Sequence, residues 1–71
     1  MSAISIWIEL TRLEQRLIIK LFAGGSFRGQ QRETIEGLLD RGLIDNHGLT
    51  NAGRAAFEAA FHAQQAIRAA A

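Results

Sequence analysis

Residues able to do acid–base, nucleophilic or metal chemistry are few in this chain and lie apart. It has two histidines, His47 and His62, and no cysteine. Disulfides and thiolate metal sites are therefore excluded. Two histidines are too few for a histidine-based zinc site unless carboxylates or a second chain complete it, so no metal and no cofactor is expected. No Ser-His-Asp set has workable spacing, and no pair of carboxylates is placed for general acid–base work. Gly24-Gly25-Ser26 is glycine-rich, but it lacks the Gly-Lys-Ser/Thr that completes a phosphate loop. The expectation is a non-enzymatic chain with no small-molecule substrate.

Cations carry more information. Arg12, Arg16 and Lys20 stand at i, i+4 and i+8, which lines them along one ridge of a helix. Like charges four apart repel by about a few tenths of a kcal/mol, a cost that an anionic partner removes. DNA phosphate or an acidic protein surface would each serve. The competing reading is a solvated ridge on an otherwise buried helix.

A second set spans residues 28–41: Arg28, Gln30, Gln31, Arg32, Thr34 and Arg41. Arg and Gln are the usual readers of guanine and adenine edges, and Thr also contacts bases. Glu33, Glu36 and Asp40 cancel the three arginines, however, and a neutral helix neutralises few phosphates. The alternative is a solvated amphipathic helix with internal ion pairs such as Arg32–Glu36. Asn46 and His47 fall in a turn, where they would either probe a DNA groove or serve as polar filling.

Elements that position these groups follow from periodicity. Ile4-Ser5-Ile6-Trp7-Ile8 puts β-branched residues at every second position, which suits a short strand; a helical start is the competing reading. Thr11-Arg12-Leu13-Glu14 has capping-box spacing and predicts a helix over 11–23, broken at Gly24-Gly25. Leu13, Leu17, Ile18, Leu21 and Phe22 cover more than half its circumference, the mark of a central buried helix. Ser26-Phe27-Arg28 suits another short strand. A second helix is expected over 30–41, with Ile35, Leu38 and Leu39 inward and Gly42 at C′ setting Leu43 against Leu38. Leu43-Ile44, then Asp45-Asn46-His47-Gly48, then Leu49-Thr50 reads as a hairpin. Thr50 or Asn51 then caps a third helix. It runs into a tail where ten of the last twenty residues are alanine, the strongest helix former. Leu17, Leu21, Ile35, Leu38 and Phe57 are the expected core.

In that last helix Phe57 and Phe61 form a core stripe. Ala56, Ala60, Ala63 and Ile67 form a second stripe about 80 to 100° round. Small residues allow close helix approach, so the second stripe predicts either a homodimer seam or an unpartnered tail.

The run Leu38-Leu39-Asp40-Arg41-Gly42-Leu43-Ile44, followed by Leu49-Thr50-Asn51-Ala52-Gly53-Arg54, resembles winged helix-turn-helix regulators of the MarR type. In that family a helix ends in L-x-x-x-G-L-I, a β-wing follows, and L-T-x-x-G-R opens the next helix. The likeness covers about residues 10–58. It lacks the family's middle helix, because residues 24–29 leave no room for one. The resemblance implies a small α+β winged-helix-like domain with three helices and a short hairpin wing, binding double-stranded DNA as a homodimeric transcription regulator. The alternative is a protein–protein interaction module on the same scaffold. By analogy with the small accessory proteins of phages and mobile elements, that module would be an adaptor or inhibitor.

Bulk composition fits one small domain over residues 1–71, with its core in 10–61 and an alanine-rich end in 62–71. The 71 residues are 48% hydrophobic and 21% charged, a globular balance. Eight Lys/Arg against seven Asp/Glu give +1, too little for a strong long-range field. No apolar run reaches the roughly 18 residues of a membrane helix. The first ten residues have no cation ahead of their apolar stretch, unlike a secretory signal. A cytoplasmic location is therefore expected.

Overall fold

The computed structural model describes residues 3–70, with side chains as far as Ala66. In chain order the elements are α1 (Ala3–Glu9), α2 (Arg12–Phe22), α3 (Arg32–Asp40), β1 (Ile44–Asp45), β2 (Gly48–Leu49) and α4 (Asn51–Ala70). The fold is a small α+β arrangement of four helices and one antiparallel hairpin, which packs against α2, α3 and α4. None of the helices is long and apolar enough to cross a membrane among the described residues.

Local chemistry accounts for the boundaries. At the start of α2 the Glu14 N–H donates to Thr11 Oγ1 (3.1 Å) and the Thr11 N–H donates to Glu14 Oε1 (2.9 Å). That reciprocal pair is the expected capping box. α2 stops because Gly24 takes φ 94°. The Gly25 N–H then reaches back to the Lys20 carbonyl (2.8 Å) and the Gly24 N–H to that of Leu21 (3.1 Å). α3 ends in the same way. Gly42 sits at φ 72°, and the N–H groups of Leu43 and Gly42 donate to Leu38 and Leu39 at 3.0 Å each. This Schellman closure sets Leu43 beside Leu38, both fully buried.

In the hairpin Ile44 pairs with Leu49 and Asp45 with Gly48. The Asp45 carboxylate accepts the His47 N–H at 2.8 Å. Neither Asn46 nor His47 has a positive φ; Gly48 takes it instead, at 125°. The loop is therefore none of the primed turns. Thr50 caps α4 by accepting the Gly53 N–H at 3.1 Å, while its hydroxyl donates to the Gly42 carbonyl at 2.7 Å. One side chain thus ties the end of α3 to the start of α4.

The core joins Leu10, Leu17, Ile18, Leu38, Leu43 and Ile44, with Ile6, Trp7, Leu21, Phe27, Ile35, Leu49 and Phe57 packed partly against it. The five expected core residues all lie in this assembly.

Several expectations need correction. Residues 4–8 are helical, which brings the helix count to four instead of three. The described strands are the two-residue pair of the hairpin, so an N-terminal strand would have no neighbour for its backbone groups. A helix satisfies them internally. Residues 26–28 form no strand, and the Gln30 N–H closes a single turn on the Phe27 carbonyl at 3.1 Å. In α2 the buried arc is narrower than expected, since Leu13 and Phe22 are 48% and 44% exposed.

The two stripes of α4 share the interior, since Phe57 packs against the core as well. Ala56 (0% exposed) and Ala60 (7%) are inside, whereas Phe61 is 50% exposed. α1 packs chiefly on α4, and alanine lets a neighbouring backbone come close. The expected dimer seam is therefore already covered within one chain at Ala56 and Ala60, and Ala63 is half-buried. The Ile67 side chain lies outside the described residues.

Candidate interaction surface

α3 was the expected base reader. The structure buries Thr34 to 7% exposure, so its hydroxyl cannot reach a base edge. Arg41 pairs with Glu9 across α1 at 3.5 Å, an ion pair formed in place of the expected Arg32–Glu36 among the described residues. Gln30 is half-buried and Gln31 serves as the backbone N-cap of α3. Arg28 and Arg32 remain exposed, as do Asn46 and His47 at the hairpin tip. The outward face of α3 itself carries Arg32 with Glu33, Glu36, Leu39 and Asp40. That face is net negative and would repel phosphate.

A cleft of about 290 Å³ lies where the starts of α2 and α3 meet, lined by Thr11, Leu13, Glu14, Gln31, Glu33 and Thr34. Its most buried acid, Glu14 (8% exposed), already accepts the Thr11 N–H. No group of three or more metal-ligating side chains is assembled among the described residues. His47 is at the hairpin tip and His62 on α4, so the structure does not bring them to one site.

Exposed apolar and cationic groups converge elsewhere. Arg12, Arg16 and Lys20 are all exposed on the outer face of α2, as the ridge reading expects. Ile19, 47% exposed, lies beside Arg12 and Arg16 on that face, away from Lys20. Toward α4 comes Phe22, whose ring lies 4.4 Å from that of Phe57. Phe57 is the hub of an aromatic group, with Trp7 edge-on at 6.0 Å and Phe61 stacked at 6.3 Å. The Arg54 guanidinium lies 5.9 Å from the Phe22 ring centroid, a cation–π arrangement. Gln15 secures this corner by donating from Nε2 to the Trp7 carbonyl at 2.9 Å.

The sequence assigned Phe22 and Phe61 to the core, whereas both are exposed. The i, i+4 spacing of Phe57 and Phe61 was visible. What covers each stripe of α4 depends on α1, which lies almost the whole chain away in sequence. The motif residues Leu43, Leu49, Thr50 and Gly53 serve the joint between hairpin and helix. A Cβ on Gly53 would run into the Leu43 carbonyl and the Leu49 side chain, so glycine is needed for the hairpin to lie on α4.

Comparison with protein families, curated proteins and solved structures yields no match for this chain.

Proposed function

We propose that this protein is a non-enzymatic interaction module, which binds a partner protein through the outer faces of α2 and α4. The observation that carries this reading is the exposed group Ile19, Phe22 and Phe61, flanked by Arg12 and Arg16 on α2 and by Arg54 on α4. Large apolar side chains gathered on a small domain mark contact surfaces, and aromatic and arginine side chains are the usual anchors of such contacts. A photo-cross-linking residue at position 61, introduced in the source cells, is expected to yield a discrete protein adduct. The same residue at position 36, on acidic α3, is expected to yield none. Equal labelling at both positions, or none at either, overturns the reading.

One observation favours a second reading, a DNA-binding regulator of winged-helix type. Three helices precede the hairpin and one follows it, which is the element order of a winged helix. Anisotropy with random duplex DNA at about 50 and 200 mM salt separates the two, because phosphate neutralisation makes affinity fall steeply between them. We expect no such steep fall. A steep one, flattened by about one unit for each of Arg28→Ala and Arg32→Ala, would establish the DNA reading.

A further inference from the structure

We infer that the α2–α4 surface is a groove for an acidic amphipathic helix supplied by another protein; the inference rests on the interaction-module reading above. Half-buried Phe57 is its centre, with the Phe22 ring 4.4 Å and the Phe61 ring 6.3 Å from its own. Ile19 extends the apolar track along α2, one turn before Phe22. Exposed anchors on two adjacent helices match the i, i+3, i+4, i+7 stripe of a helix laid between them.

Charge selects the kind of helix. Beside this track stand Arg12 and Arg16 on α2, two turns and one turn before Ile19 on the same face, and Arg54 on α4, against one carboxylate, Glu58 of α4. None of the three cations is in an ion pair among the described residues. Complementary charge steers encounter and fixes register, so the occupant carries Glu or Asp beside its apolar stripe. A second copy of this chain is disfavoured, because two such surfaces face to face would set like charges together. Single-stranded nucleic acid needs successive free ring faces for its bases. Here Phe22 lies between Phe57 and Arg54, and Ile19 offers no ring.

The test uses a fluorescent synthetic helix of about 18 residues, with leucine at i, i+3, i+4 and i+7 and glutamate elsewhere. Comparison probes are the same peptide with lysine for glutamate, a scrambled peptide of identical composition, and oligo-dT. We expect the acidic helix to bind at least about tenfold tighter than all three, and tighter at low salt than at high. Arg16→Glu and Phe61→Ala, both at exposed positions, should each weaken it about tenfold while their circular dichroism melts stay near wild type. Arg16→Glu should in turn bind the lysine peptide better than wild type does. Equal binding of acidic and scrambled peptides, or indifference to both substitutions, overturns the inference. Tighter binding of oligo-dT overturns it in favour of a nucleic-acid surface. A protein adduct at position 61 without acidic-peptide binding removes only the acidic helix; loss of both removes the module reading as well.

Discussion

Gly53 and Gly37 are both helical glycines, and the atoms they face make their substitutions differ. A Cβ at Gly53 meets the Leu43 carbonyl, which is held in place by accepting the Thr50 N–H at 3.1 Å. Backbone cannot yield as a side chain can, so Gly53→Ala should cost about 1–3 kcal/mol or more by overpacking. A Cβ at Gly37 meets only the far carboxylate oxygen of Glu14. There the gain in helix propensity, about 1 kcal/mol, offsets the displacement, and Gly37→Ala should melt near wild type. Thermal denaturation of the two variants side by side checks this; equal losses would mean that the hairpin does not rest on Gly53. Thr50→Ala removes both the α4 cap and the bond to the Gly42 carbonyl and should cost about 1–2 kcal/mol. The Glu9–Arg41 pair behaves differently. Its side chains are 53% and 39% exposed, so Glu9→Gln should change stability by no more than about 1 kcal/mol, and less in high salt.

At the scale of elements, stability depends on which helix faces meet. Leu38 is fully buried between the Schellman turn and the core, and Leu38→Ala should cost about 2–5 kcal/mol. A domain of this size has little to spare. The alanine stripe of α4 gives the sharper test. As a free dimer seam it would tolerate a charge at position 60 with the monomer still folded. Buried to 7% exposure, Ala60→Glu instead places an unpaired carboxylate inside and should cost on the order of 3 kcal/mol. Melting of Ala60→Glu at several concentrations distinguishes them. A variant that stays folded but loses a concentration-dependent transition would restore the seam.

For the molecule as a whole, Trp7 is the sole tryptophan, and it sits where α1, α2 and α4 meet through Phe57 and Gln15. Its near-ultraviolet signal and the far-ultraviolet helix signal should vanish at one urea concentration, as a single cooperative unit requires. Earlier loss of the Trp7 signal would show α1 detaching alone and uncovering Phe57. Charge is also arranged at this scale. A net charge of +1 conceals a cationic α2 face and an acidic α3 face, and the local arrangement determines which partner each attracts.

Local rules sufficed wherever a residue's task involves neighbours a few positions away. Thr11 with Glu14, Gly42 with Leu43, the Asp45-to-Gly48 turn and the Thr50 cap are all legible in the sequence, because each closes a hydrogen bond within about five residues. Leu17 and Leu38 were legible for a similar reason, since the helical period assigns an inner face. Three matters waited on the tertiary structure. Alternating isoleucines at 4–8 fit a strand or a helix, and the absence of a neighbouring strand to pair with decided for the helix. Phe57/Phe61 and Ala56/Ala60 are two apolar stripes on one helix, and periodicity cannot rank them. The fold buries Ala56 and Ala60 and keeps Phe57 against the core, leaving Phe61 half exposed. Arg41, Thr34 and Arg54 likewise have sequence contexts that read as surface arginine or threonine. Only the three-dimensional placement of Glu9, the core and the Phe22 ring gave each its task, because contacts between distant segments are not encoded in local spacing.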